Sequence, residues 1–179
     1  MDPKMVEAIN DQINAELYSA YLYSSMVAYF EHLGLKGMAH WMIIQTMEET
    51  THAYKFFAFV CERGERVALK PIEGPPVEFD SPLAVFEATL KHEKYVTGRI
   101  NDLMDLAIEL KDHATGSLLQ WYVDEQVEEE ANATEISSKL RLIGDNSNAL
   151  LMLDKDLSTR VFVAPPGMPA VSGAAAAGG

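Results

Sequence analysis

The segment Met42-Ile43-Ile44-Gln45-Thr46-Met47-Glu48-Glu49-Thr50-Thr51-His52-Ala53-Tyr54-Lys55-Phe56-Phe57-Ala58-Phe59-Val60 decides the fold. Within it Met42, Gln45, Glu49, His52, Phe56 and Val60 recur at steps of three and four, so they share one face of a helix. That face is apolar at both ends and must be buried, yet a carboxylate and an imidazole stand in its middle. Three other stretches repeat the pattern. The first reads Val6, Ile9, Ile13, Glu16, Ala20, Tyr23, Val27, Phe30, and the third Phe86, Leu90, Glu93, Thr97, Ile100, Met104. The fourth reads Leu119, Tyr122, Gln126, Glu129, Ala133, Ile136, Leu140. Burying one unpaired carboxylate costs several kcal/mol, a large part of a domain's net stability. Burying four together is tolerable only with positive charge among them, so the pattern predicts an all-α four-helix bundle with a metal site inside.

The surrounding chain supplies the punctuation for four helices of ~40 Å each. Asp2-Pro3 starts the first, with aspartate as the cap and proline in the first turn, and the periodicity stops before Gly34. The second runs from about Lys36 to Arg63, with Gly64 beyond its end. Across about 65–81, Pro71, Gly74, Pro75 and Pro76 forbid a regular helix. Ser81-Pro82 restarts the third, which runs to about Lys111, and Asp112 caps the fourth, which ends near Gly144. Short connections make helices one and two, and three and four, antiparallel hairpins. The long middle connection suits a crossover along the bundle. A short fifth helix is expected at about 146–158, with Leu150, Leu151, Leu153 and Leu157 as its apolar positions. Residues 1–160 then form one domain, and 161–179 a Pro/Ala/Gly-rich flexible tail.

With 27 acidic against 14 basic residues and a net charge of −13, cations are the expected partners, and nucleic acid and anionic membranes are not. No apolar run approaches the ~20 residues that span a bilayer, and Met1-Asp2-Pro3-Lys4 does not begin a secretory signal. The lone Cys61 has no internal disulfide partner, which suits the cytoplasm, and reads as a packed thiol.

Glu49 and His52 stand one turn apart on one face, a spacing that lets both bind one metal. Glu16, Glu93 and Glu129 lie about mid-helix in their own stripes, so helices packed side by side bring them to one level. Four carboxylates with a neutral histidine carry a charge that two divalent cations neutralise. Oxygen-rich ligation with one imidazole and no thiolate favours iron or manganese over structural zinc.

The segments Asn14-Ala15-Glu16-Leu17-Tyr18-Ser19, Glu48-Glu49-x-x-His52 and Lys91-His92-Glu93-Lys94 occur in that order. Leu119-Gln120-Trp121-Tyr122-Val123 and Glu125-Gln126-Val127-Glu128-Glu129-Glu130 follow. Together they resemble bacterial and archaeal non-haem ferritin over roughly residues 3–160. The resemblance implies a ferritin-like four-helix bundle with one long crossover and a short fifth helix, which the known architecture of such bundles also describes. It implies an iron-storage ferroxidase that oxidises iron(II) with dioxygen and stores ferric mineral inside a homo-oligomeric shell of twenty-four subunits.

Carried over by residue, one iron falls to Glu16, Glu49 and His52 and the second to Glu49, Glu93 and Glu129, with Glu49 bridging. Gln126 lies close to the pair without a strong bond. A third iron site would use Glu48, Glu125, Glu128 and Glu129, while the first three of these read equally as a solvated acidic face. Tyr23, two turns after Glu16, either bonds a ligand or donates an electron, the role the resemblance implies, or is an ordinary core tyrosine. No haem is expected, because Thr50 stands where bacterioferritins place a haem-ligating methionine. Those proteins also repeat Glu-x-x-His where this chain has Gln126-Val127-Glu128-Glu129.

An oxygenase-like bundle acting on an organic substrate would need a cavity beside the metals, and the stripes show no break to small residues. A purely structural bundle leaves the mid-stripe carboxylates without a reason. Trp41 and Trp121 read as packing residues, His92 as pointing away from the metals, and His32, His40 and His113 as surface residues or caps.

Overall fold

A computed structural model describes residues 1–165. Five helices appear in it, α1 Pro3–Leu33, α2 Lys36–Glu62, α3 Pro82–Glu109, α4 His113–Ile143 and α5 Ser147–Leu157, with no strand among the described residues. The flexible tail expected at 161–179 lies outside the described residues from 166 onward.

The caps follow local chemistry. Asp2 accepts from the Lys4 amide at 2.8 Å, Ser81 from Ala84 at 3.1 Å, Asp112 from Thr115 at 3.2 Å and Asn146 from Ala149 at 3.1 Å, each satisfying a donor the helix leaves free. Gly34 and Gly64 end the first hairpin's helices at φ 77° and 75°. Helix α3 stops at Glu109 rather than Lys111, because Lys111 itself takes the left-handed conformation (φ 53°) that glycine usually supplies there.

Cross-helix bonds give the topology. Ser19 meets His92 and Gln12 meets Arg99, so α1 and α3 run antiparallel. Gln45 meets Glu129 and the His52 carbonyl meets Tyr122, so α2 and α4 do too. The crossover climbs along α1. Asn10 holds the Ala68 amide, Asn14 the carbonyls of Lys70 and Pro71, and Ser25 that of Pro76.

Two apolar clusters fill the bundle. One gathers Met26, Phe30, Met38, Trp41, Met42, Phe86, Ile136 and Leu140, and the other Ile9, Ile13, Phe56, Val60, Val96, Ile100, Leu119 and Tyr122. Each of α1 to α4 passes from one cluster to the other, and Glu16, Gln45, Glu49, His52, Glu93, Gln126 and Glu129 lie buried where they pass.

The second and fourth stripes are buried at every position. In the first, Met5 and Met26 are buried while Val6 and Val27 are half-buried, and in the third Thr89, Val96 and Leu103 displace Leu90, Thr97 and Met104. In each case the buried residue is the one a position earlier, because a step of three and a step of four both keep to the same broad face and spacing alone does not choose between them. Cys61 is exposed, against the expectation of a packed thiol, because it follows Val60 on the far side of α2's last turn. Trp41 is core, against Phe86 at a ring distance of 5.3 Å.

Helix α5 docks on the start of α2. Leu35, before α2, supplies no side-chain cap; the Asp154 carboxylate of α5 instead accepts from the Met38 amide at 2.8 Å. Gly37 makes that approach possible, since a Cβ there would lie 1.6 Å from the Asp154 carbonyl oxygen. Leu153 is buried and Leu150 and Leu157 pack beside it, whereas Leu151 faces outward. Gly37→Ala is therefore expected to push α5 off α2 at a cost of ~2 kcal/mol, because a backbone oxygen cannot rotate aside. Hydrogen exchange should report faster exchange across 147–157 in this variant, and unchanged protection there would contradict the docking.

Candidate metal centre

Between the two clusters α1 supplies Glu16 and Tyr23, α2 Gln45, Glu49 and His52, α3 Glu93, and α4 Gln126 and Glu129. None is more than 4 % exposed. Each carboxylate sits where its helix passes between the clusters.

Glu16, Glu49 and His52 converge most tightly, with one potential ligand atom from each lying within 4.8 Å of the other two. His52 Nδ1 is 3.8 Å from Glu49 Oε2, and its Nε2 is 4.0 Å from Glu125 Oε1. Burial, with some help from nearby Lys55, pushes His52 down to about 3, so its ring is neutral at physiological pH and offers a lone pair. Glu93 and Glu129 stand outside this tight triad in the same layer. Tyr23 Oη donates to Glu93, and Gln126 Nε2 donates to Glu93 Oε2 at 3.2 Å. Gln45 Nε2 donates to Glu129 Oε2 at 2.9 Å, and Gln12 Nε2 to Glu16 Oε1 at 2.7 Å.

Burial raises every carboxyl of the layer. It lifts Glu49 well above the ordinary range, with the charges of Glu93, Glu16 and Glu129 adding to it. Burial and then Glu129 take Glu93 up to about 8, and burial takes Glu129 to about 7 against the opposing pull of Arg160. Glu16 Oε2 and Glu49 Oε2 are buried and no N–H or hydroxyl among the described residues reaches them, so without a cation the two carboxyls have only a proton to share between them. Orphaned acceptors of this kind are costly, and here they belong to the two carboxylates nearest the imidazole. A donor set of hard oxygens with one neutral nitrogen fits iron(II) or a similar divalent ion.

Glu48, Glu125 and Glu128 line a cleft of ≈ 620 Å³ that also touches His52. Glu128 is exposed and the other two are partly buried. Burial and the neighbouring carboxylates raise Glu48 to about 8, although Arg160 Nη2 donates to its Oε2 at 2.7 Å. Trp121 borders the cleft with its ring 5.2 Å from that of His52 and the Lys55 ammonium 3.5 Å above it. His92 points to Ser19 at 2.8 Å rather than to the metal layer, as its helical direction implies. His40 is half-buried instead of free at the surface, because its Nε2 bonds the Arg160 backbone carbonyl.

Sequence reasoning missed Gln12, Arg99 and Arg160. Gln12 was discoverable, four residues before Glu16 on the same face. Arg160 was not, since it arrives from beyond α5 by a fold-back that no periodicity encodes.

A long-crossover helical bundle with a buried carboxylate and imidazole layer defines the class of protein. The Ferritin model, described as a ferritin-like domain, matches residues 6–143. A bacterial non-heme ferritin of Staphylococcus aureus is 38% identical over 162 residues, 90% of this chain and 98% of the relative. A probable bacterial non-heme ferritin-like protein of Haemophilus influenzae is also 38% identical, over 88% of this chain and 95% of its own length. Among solved structures, a closed form of the Archaeoglobus fulgidus ferritin, engineered by mutagenesis, is 58% identical with a TM-score of 0.90, covering 91% of this chain and 99% of that one. The open-pore ferritin of the same archaeon gives 58% and 0.89, over 90% and 99%. The chain belongs to the ferritin family.

The raised carboxyls give a signed pH dependence. Unfolded glutamates ionise near ~4.3, so groups that stay protonated in the fold to about 7 and about 8 stabilise it at low pH. That stability is lost as pH rises through those values. His52 contributes oppositely, losing stability as pH falls from 6.5 towards about 3. Metal-stripped protein should therefore have a lower denaturant midpoint at about pH 9 than at about pH 6, and a divalent metal should restore it with proton release. Unfolding curves with and without chelator check this, and a metal-free midpoint that rises with pH would contradict it.

Proposed function

We propose that this chain is an iron-storage subunit that oxidises iron(II) with dioxygen at an intra-subunit pair of sites. The product is kept as a ferric oxyhydroxide mineral inside a hollow shell of twenty-four copies in the cytoplasm. The supporting observation is the buried triad of Glu16, Glu49 and His52, whose two orphaned oxygens call for a cation. Family membership and the non-heme ferritin names of the relatives agree with that reading.

In the proposed arrangement Glu16, Glu49 and His52 bind one iron(II), and Glu49, Glu93 and Glu129 the other. In this reading Glu49 bridges, which is supported by its ligand atom lying within 4.8 Å of those of Glu16 and His52 and by the charges of Glu93 and Glu129 acting on it. Each iron(II) gives one electron to dioxygen, so two ions held side by side deliver a pair without releasing a one-electron product. The flanking apolar clusters exclude bulk water, which strengthens each ligand's hold on charge. Tyr23 and Gln126 keep Glu93 aimed inward through the hydrogen bonds they donate to it. Glu48, Glu125, Glu128 and Glu129 serve a third iron at the acidic cleft, between the pair and the protein surface. No haem takes part.

Glu49→Ala removes the bridge and should slow rapid iron(II) oxidation ~100-fold or more, as followed by ferric absorbance after aerobic mixing. Wild-type kinetics in that variant would sink the assignment. Glu128→Gln should leave the first fast phase intact and change the iron-to-oxygen stoichiometry of later turnovers. Iron loading far beyond two per chain, in a particle of cage size, is the expected behaviour of the unaltered protein.

A further inference from the structure

Two arginines outside the metal layer reach its carboxylates through glutamines. On one side Arg99 of α3 donates from Nε to Gln12 Oε1 at 2.9 Å, and Gln12 Nε2 donates to Glu16 Oε1 at 2.7 Å. On the other, Arg160, beyond α5, donates from Nη1 to Gln45 Oε1, and Gln45 Nε2 donates to Glu129 Oε2 at 2.9 Å. Both glutamines are wholly buried. Different helices build the two chains, yet each reads guanidinium, amide, carboxylate.

A carboxamide can present its oxygen or its NH₂ to a neighbour with almost the same shape, so its partners decide which faces where. A guanidinium only donates, and so it takes the amide oxygen and turns the NH₂ inward. This matters because Glu16 and Glu129 must meet the amide as acceptors if their other lone pairs are to face a metal. A protonated carboxyl can donate to an amide oxygen as readily as a carboxylate accepts from NH₂. The arginines exclude the first arrangement and leave the second, in which the carboxylate keeps its remaining lone pairs for metal.

Each arginine is itself held. Arg160 lies 4.4 Å over the Trp41 ring and also binds Glu48 at 2.7 Å, with its carbonyl bonded to His40 at 2.8 Å. Arg99 bonds the Tyr95 hydroxyl at 3.3 Å. With Glu93 clamped by Tyr23 and Gln126, every carboxylate of the layer except the bridging Glu49 then has a dedicated amide.

We propose that Arg99 and Arg160 are positioning residues for the metal pair, each acting through a glutamine to fix one terminal carboxylate in its metal-binding orientation. The proposal rests on the metal-pair reading above.

The test is a cobalt(II) titration of metal-stripped, full-length protein, followed by visible d–d absorption, which reports ligand geometry without any turnover. The wild type is expected to fill its paired sites tightly. R99Q and R160Q should each weaken cobalt binding by roughly 10–100-fold and alter the band shape. In a Gln45→Leu background R160Q should cost nothing further, and likewise R99Q in a Gln12→Leu background, because the path is already cut. Arg99 is only half-buried, so R99Q carries the test even if R160Q fails to assemble. Unchanged affinity in folded arginine variants overturns the proposal. So does weakening that persists undiminished behind the Gln→Leu changes, which would assign the effect to charge alone. A wild type that binds no cobalt at carboxylate and imidazole ligands would sink the metal-pair reading itself, and this proposal with it.

Discussion

Four carboxylates and one imidazole share a single buried layer, and nearly every larger feature of the chain serves to keep that layer level. A helix turns about 100° per residue, so a slip of one position in any of the four would swing its carboxylate out of the layer. The apolar clusters above and below act as two clamps that set four registers together. A layer held at one end only could tilt, and the stripes accordingly run well past the carboxylates in both directions.

The electrostatic solution is economical. Isolated charges at this depth would be prohibitive, and breaking a buried pair costs more than never having made it. The chain keeps His52 neutral by burial, lets the carboxyls hold protons when no cation is near, and spends its arginines outside the layer rather than in it. Arg99 and Arg160 contact the layer only through neutral amides, so no guanidinium competes for the space a metal ion requires. At the acidic cleft the balance differs, because Arg160 meets Glu48 directly.

Much of this was legible in the residues. Steps of three and four around Glu16, Glu49, Glu93 and Glu129 contained the helices, their common level and the carboxylates of the layer, since burial and periodicity are local properties of a chain. Asp2, Ser81, Asp112 and Gly64 marked the ends, for the same reason. At Val6, Val27, Leu90, Thr97 and Met104 the buried residue is instead the one before, since steps of three and of four share a face and only the packed neighbours choose between them. The contacts made by Arg160 and Asp154 were hidden for a different reason. Each depends on a fold-back of more than a hundred residues, and nothing in the neighbouring sequence records where such a segment comes to rest.

That fold-back sets a clock on biosynthesis. Gln45 precedes Arg160 by 115 positions and Met38 precedes its cap, Asp154, by 116. At the usual pace of translation the two halves of each contact are made on the order of ten seconds apart. The α1–α2 hairpin can form early, but α2 begins life without its cap and Gln45 without its guanidinium. A nascent chain therefore holds the carboxylates before it holds the means to aim them, and full competence for metal arrives only with the segment beyond α5.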